Sequence, residues 1–531
     1  MSSVISLFIP SQFPRIALTS VGFCTFFAVS LMLYYSLPKS AQRGVLLLSS
    51  AAFFVLSCAP QAGAYLLFAS FAAYGAPLLG ARFPKMKKPL CAVAAVIILA
   101  ILAVLKYSNF IVINYNYAVK VMHRLFHTDF ALRGYFSFLA PLGISFYTLM
   151  LVGYLLDCRS DKTEPERNFF SFLLFALWWP QLTSGPITRY EQISPQFCAR
   201  KTFDYATVSR GIVRMLWGFF QKIVVAGHAV LIQQTYLGEP GKYDGFYVWI
   251  GMAAGVLQLY SDFNGCMDIV LGASECFGIR LPENFNVPFA ATTVTEFWRR
   301  WHITLGRWLH DYVFFPVFGS KPVIRIKGAL TARKKRKLAN KIAMYTASGA
   351  VWFCMGLWHG GTWKYIIGNG LWYFALTTLE QELAPLGRKI IGRLGIKTDC
   401  FSWRLFQRVR TFAFFCVGTT FFYASSLRNA LRILKHSVMH FNPLVVFSIS
   451  LEEFGMNYLH RAVFAVGVVA LFAVDMTKHR LSLCGADEEQ PLRTALSRQN
   501  AAFRWLLYWT ALTLIILSST LSTQEFLYAQ F

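Results

Sequence analysis

The sequence predicts an all-α polytopic membrane protein, with roughly eleven to thirteen spanning helices and further re-entrant and interfacial ones. Three observations predict it. Of the 531 residues, 56% are hydrophobic and only 14% charged, and the mean hydropathy is +0.46, more apolar than a soluble multidomain chain of this length. Long apolar stretches recur along the whole chain. Lys and Arg, which bring the formal charge to +26, fall mainly in short gaps between those stretches, as in RFPKMKK at 82–88 and TARKKRK at 331–337. The positive-inside rule and the attraction of anionic phospholipids account for that distribution. Anionic phospholipids are therefore expected partners and nucleic acid is not.

In chain order, RIALTSVGFCTFFAVSLMLYYSLP at 15–38 is too long for a signal-peptide core and reads as a retained first helix. Stretches at 44–59, 64–81 and 89–114 come after it. Lys39 and Arg43 fall on the same side as Arg82, Lys85, Lys87 and Lys88 if each stretch between them crosses, which puts the amino terminus outside the cytoplasm. Next come stretches at 135–156, 169–184, 208–235 and 244–274, in or after which Pro180, Pro186 and Pro288 mark segments that enter without crossing. The remaining stretches lie at 342–358, 363–383, 404–424, 460–476 and 504–522. The whole chain, 1–531, reads as one integral membrane domain without an inverted repeat. Eleven cysteines are scattered without a CxxC pair and read as small hydrophobes.

The stretch 285–341 differs. In TEFWRRWHITLGRWLHDYVFF, residues Trp298, Trp301, Leu305, Trp308, Leu309 and Tyr312 recur at three- and four-residue spacings and share one helix face. Arg299, Arg300, Arg307, His310 and Asp311 take the other. This is the pattern of an interfacial helix, with His302 at the edge of the aromatic face and directed inward. The basic run RIKGALTARKKRKLANK places the region on the cytoplasmic side. About seventeen residues later, some 25 Å along a helix, the chain reaches His359 in the almost uncharged run VWFCMGLWHGGTWKYIIGNGLWYF. Two histidines so placed predict two ends of one passage.

The order PLGISFYTLM at 141, PQLTSGPITRY at 180, LQLYSDFNGCMDIVLG at 257, PENFNVPFAATTVTEFWRRWHITLGRWLHDY at 282 and GLWHGGTW at 356 resembles the membrane-bound O-acyltransferase family. Within it, the sequence is similar to the bacterial branch of alginate O-acetylation and of D-alanine transfer to teichoic acids. WRRWH and then GLWHG, in that order and spacing, is the specific part. The resemblance implies a ring of tilted helices around a central funnel or tunnel, with 105–375 as the catalytic core and 1–104 and 376–531 as peripheral helices. It implies that His359 is catalytic and that His302 is a second functional residue. It also implies an acyl thioester donor, such as acetyl-CoA or an acyl carrier, reached from the cytoplasm. The acceptor is an extracytoplasmic polysaccharide, and a separate extracytoplasmic acyltransferase partner completes the transfer. Two places depart from the family pattern. Many bacterial relatives carry a further histidine where this chain has Trp372-Tyr373, and the common FFRAESL reads FFYASSL at 421–427.

The chemistry can be argued from the residues alone. Esterifying an alcohol from a thioester needs a base for the hydroxyl proton, and neutral imidazole serves near pH 7. A buried His359 is expected to be uncharged and able to accept that proton. Gly360 and Gly361 would give a substrate room to approach the backbone, and Trp358 and Trp363 would wall the site against water. Trp298, Arg299, Arg300 and Trp301 are candidates for lining the donor site or tunnel, the arginines as phosphate ligands. Each has a plainer reading: a histidine that bonds a neighbouring helix, glycines that let helices pack, arginines that meet lipid headgroups. Asp262, Asn264 and Asp268 are expected to be structural, paired within the protein because they are costly in an apolar stretch.

His436 and His440 have metal-pair spacing without an HExxH motif, so no metal and no tightly bound cofactor are expected. No GxSxG, P-loop or dinucleotide fingerprint is present. Two function classes remain. One is an O-acyltransferase, an acetyltransferase by the resemblance, acting in the bacterial cytoplasmic (inner) membrane. The other is a transporter or flippase whose histidines and broken helices line a pathway with no covalent step.

Overall fold

Every regular element is a helix in the computed structural model, which describes residues 16–57, 60–136, 143–239, 241–448, 456–483 and 496–519. Pro141-Leu142 of the first motif, Arg15, and parts of the stretches at 44–59, 135–156 and 504–522 lie outside the described residues. Among the described residues, five helices are long and apolar enough to cross a membrane: Gly63–Arg82, Pro84–Phe126, Tyr205–Gly238, Tyr458–Ser482 and Ala501–Ser518. Others are shorter or broken, as the prolines predict. Trp178 leaves helical geometry between Phe169–Leu177 and a four-residue helix containing Pro180, and Pro288 opens a 3-10 turn. The chain is a multi-pass membrane protein built from helices.

The chain forms two compact units. The first comprises 1–208, 273–281 and 360–362. Its inner face is aromatic: Trp179, fully buried, meets Phe23, Phe26 and Phe53 with ring centroids 5.4–5.7 Å apart. Two polar pairs tie it together inside, Tyr65 with Thr148 at 2.9 Å and Trp178 Nε1 donating to Ser274 at 3.1 Å. Gly361 belongs to this unit, and a Cβ there would lie 2.6 Å from the ring of Tyr107. Its lack of a side chain therefore serves close packing against Tyr107, which corrects the expectation that it leaves room for substrate.

The second unit comprises 209–272, 282–359 and 363–531. Its core carries ion pairs. Arg214 donates to Asp268 at 2.8 Å and to Glu283 at 2.6 Å. Gln221 donates to the second oxygen of Asp268 at 2.8 Å and accepts from Asn264 at 2.7 Å, and Lys222 pairs with Asp262. Gln221 and Lys222 lie on a π-helical segment, Phe220–Ala226, inside the long helix that ends at Gly238. This widened turn sets both side chains against the polar face of the helix Gly245–Cys276, which supplies Asp262, Asn264 and Asp268. Those three residues tie two helices together in the interior.

Removing one partner of such a pair strands a buried charge, whereas replacing both does not. Asp262→Ala and Asp268→Ala are each expected to cost about 3–5 kcal/mol. The pair Asp262→Leu with Lys222→Met should cost clearly less, measured by thermal unfolding of the purified protein in detergent. A double variant as unstable as the single one would show that the ion pair itself, not relief of stranded charge, holds these helices.

Candidate functional site

The predicted amphipathic helix over TEFWRRWHITLGRWLHDYVFF is broken in the structure. Helix Val294–Arg300 ends before Trp301, and a new helix runs Ile303–Leu309, succeeded by a π segment His310–Phe314. The break has a specific cause. Trp301 is extended and bridges to Phe285, while the backbone of Asn286 donates to Arg300 at 2.9 Å and that of Ile303 to Asn284 at 3.0 Å. Residues 284–286 thus clasp 300–303. His302 sits in the left-handed region (φ 48°), as does the β-branched Val287 (φ 45°), conformations that persist only where surrounding contacts over-determine them.

Asn284 supplies those contacts. It is buried, and its Oδ1 accepts from the backbone N–H of Thr304 at 3.1 Å and the Thr304 hydroxyl at 2.9 Å, with His302 Nδ1 3.3 Å away. Two further anchors fix the entry helix. Thr293 caps it through the N–H of Glu296 at 3.0 Å. Glu380 accepts from the N–H groups of Val294 and Thr295 at 3.0 and 3.1 Å, satisfying donors that every helix start exposes. The two faces survive the break: Trp301, Leu305, Trp308 and Leu309 are buried, while Arg299, Arg307, His310 and Asp311 are exposed.

His359 closes the helix Arg336–His359, about 35 Å along its axis from Arg336. It is 6% exposed and His302 1%. The indole of Trp358 touches both, its ring centroid 5.4 Å from that of His302 and 5.1 Å from that of His359. The structure therefore brings the two histidines against one side chain, and does not set them at two ends of a passage. The clasp carries His302 away from the basic end of Arg336–His359, a displacement that helical spacing does not register.

A cavity opens against His359. It is lined by Leu259, Trp298, Trp301, Asn369, Tyr373, Phe415, Thr419 and Phe422 and holds about 290 Å³ of empty space, part of it at the open mouth. Its walls are aromatic: Trp298 meets Tyr373 at 4.7 Å, and Trp301 meets Phe415 at 4.8 Å between centroids. Lys364 fixes Phe422 by donating to the carbonyls of Phe422 and Ala424 at 3.2 and 2.7 Å, groups that the end of the helix Phe401–Tyr423 leaves without helical partners. The few polar groups on the lining have different commitments. The Thr419 hydroxyl already donates to the carbonyl of Phe415, whereas His359 and Asn369 present an imidazole and a carboxamide.

Of the residues singled out in the sequence, His359, Trp298 and Trp301 line the cavity, and Trp358 packs between the histidines. Trp363 does not wall it: the side chain is 49% exposed. Arg300 is engaged by Glu296 at 2.8 Å and by the carbonyl of Asn286 at 3.2 Å, while Arg299 is exposed. Gly360 is buried beside His359 in the chain. Sequence reasoning missed Asn284, Asn369, Phe415, Thr419 and Phe422. A polar residue between two glycines in an apolar run, Gly368-Asn369-Gly370, was a signal for one of them. Tyr373, of the pair Trp372-Tyr373 where many relatives are expected to carry a histidine, also reaches the cavity.

Comparison with known proteins places this site inside a recognised region. The model of MBOAT, the membrane-bound O-acyltransferase family, matches residues 97–384. A probable alginate O-acetylase of Pseudomonas syringae is 30% identical over 342 residues, 63% of this chain and 58% of that protein. A peptidoglycan O-acetyltransferase of Helicobacter pylori is 28% identical over 365 residues, 64% and 62% of the two chains. A teichoic acid D-alanyltransferase of Bacillus subtilis is 30% identical over 254 residues, 47% and 60%. The chain thus spans about three fifths of the length of these relatives.

The left-handed backbone at His302 separates the conformation from the ring. His302→Asn keeps a residue that tolerates that region, whereas His302→Val does not. The valine variant is expected to be less stable by about 1–2 kcal/mol than the asparagine variant in detergent unfolding. Equal stabilities would mean that the clasp does not constrain residue 302.

Proposed function

Because the chain belongs to the membrane-bound O-acyltransferase family, we propose that it is an O-acyltransferase, in particular an O-acetyltransferase, of a bacterial cytoplasmic membrane. It takes an acyl group from a thioester donor such as acetyl-CoA and passes it toward a hydroxyl of an extracytoplasmic polysaccharide or carrier. The basic segment 325–341 faces the cytoplasm in this reading, the side from which the donor is reached, and an extracytoplasmic acyltransferase partner delivers the group to the polysaccharide. The single observation that carries it is a buried imidazole, His359, opening into an aromatic-walled cavity within the segment that matches the family.

The walls exclude water, and in such surroundings hydrogen bonds to developing charge count for more than in bulk solvent. A bound hydroxyl attacks the thioester carbonyl carbon as His359 takes its proton. The tetrahedral intermediate then collapses with cleavage of the C–S bond, and the imidazolium returns the proton to the departing sulfur. The products are an ester and a free thiol. His302, in contact with Trp358 but not on the cavity lining, positions the His359 segment in this reading.

Base catalysis of this kind contributes on the order of 10²–10⁴-fold. His359→Ala is therefore expected to lower acetyl transfer from radiolabelled acetyl-CoA by at least about 100-fold while the protein remains folded. Equal turnover by the variant and the wild type would remove the catalytic assignment. Movement of a substrate across vesicles without thioester consumption would replace it with transport.

A further inference from the structure

Asn369 occupies an unusual position. It is 7% exposed and lines the cavity with His359, and its carboxamide, open to that cavity, has no hydrogen-bond partner among the described residues. A polar group turned into an aromatic-walled cavity without a protein partner calls for an explanation. Packing alone does not require an asparagine here, since leucine has a similar shape and no polar group to satisfy.

The backbone around it is built to hold it there. Ile366–Leu371 forms a π segment between Trp363–Tyr365 and the helix Trp372–Arg393, the kind of widened turn found often at functional sites. Both neighbours of Asn369 are glycines in tight contact. A Cβ on Gly368 would meet Phe421 at 2.1 Å, and one on Gly370 would meet the carbonyl oxygen of Trp352 at 2.7 Å. The turn is thus wedged between the helix that carries His359 and the helix that carries Phe415, Thr419 and Phe422. Asn369 stands on the same face as Tyr373, four residues on.

We propose that Asn369 is a second catalytic residue of this cavity, whose carboxamide N–H donates to the carbonyl oxygen of the acyl group. The assignment rests on the acyl-transfer reading of the His359 site. As the acceptor oxygen bonds to the carbonyl carbon, the C=O electron pair moves onto oxygen, and Asn369 Nδ2 stabilises that negative charge. When the C–S bond breaks, the pair returns to re-form the carbonyl. The side chain gains and loses no proton. It supplies the electrophilic half of the reaction, with His359 moving the proton.

The test compares wild type, Asn369→Leu and His359→Ala as full-length protein in membrane vesicles, measuring thiol release from acetyl-CoA and base-labile acetyl esters on envelope polysaccharide. Loss of one such donor costs on the order of 10²–10³-fold in kcat, so Asn369→Leu should fall by that factor with KM for acetyl-CoA changed by no more than about threefold. Its thermal stability in detergent should equal or exceed that of the wild type, because an unbonded amide has been replaced by an apolar group. A merely structural asparagine gives the opposite pair of results, lower stability with normal activity per folded molecule, and that outcome overturns the proposal. If His359→Ala is inactive and Asn369→Leu keeps kcat within about threefold of wild type, the role of Asn369 is refuted and the acyl-transfer reading stands. A folded wild type that releases no thiol refutes both.

Discussion

A chain this apolar can interrupt its helices only where the freed backbone groups find partners inside the protein. That constraint governs the site. At Trp301 and His302 the helix stops, and the groups it gives up are taken by Asn284 and Asn286. The Lys364 ammonium caps the last carbonyls of the helix carrying Phe422, and Glu380 receives the first N–H groups of the helix carrying Trp298. Each break thus points a functional side chain inward, and each is held by a polar side chain from a different element. The cavity beside His359 exists because these interruptions are satisfied locally.

The all-helical membrane fold was legible from hydropathy, and the motifs WRRWH and GLWHG supply Trp298, Trp301 and His359 to one cavity. Periodicity went wrong over 294–314 for a definable reason. It reports which faces are apolar, and those faces are indeed buried at Leu305, Trp308 and Leu309. It cannot report that residues 284–286 pair with 300–303, a tertiary contact that withdraws Trp301 and His302 from the helix. The same limit hid the proximity of His302 to His359. Asp262, Asn264 and Asp268 could be read as paired because burial of unpaired carboxylates is unfavourable wherever it occurs, but their partners on Phe220–Ala226 depend on a π turn with no local sequence signature.

Departures from the family pattern acquire meaning in the structure. In FFYASSL, Phe422 lines the cavity, the Tyr423 hydroxyl donates to the carbonyl of Gly255 at 2.8 Å, and Ser426 caps the next helix through the N–H of Asn429 at 3.1 Å. Tyr423 therefore joins two helices of the unit, a role that a longer charged side chain would meet differently. Tyr373, of the pair Trp372-Tyr373 where an additional histidine was expected, faces the cavity between Trp298 and Phe415. This chain thus presents a phenol where an imidazole was expected, its hydroxyl lying against Gly418.

In the proposed mechanism the two tasks of acyl transfer, removing a proton and stabilising an oxyanion, are assigned to groups from different backbone contexts, while the Thr419 hydroxyl is committed to its own helix. His359 ends a regular α-helix, so its direction is set by ordinary helical geometry. Asn369 lies on a π turn, where one extra residue rotates the downstream side chains by about 100° relative to an uninterrupted α-helix. In this geometry Gly368 lies against Phe421, Gly370 against Trp352 and the carboxamide on the cavity wall. The irregular turn is therefore best understood as the means by which a packed, glycine-wedged segment delivers a polar group beside His359.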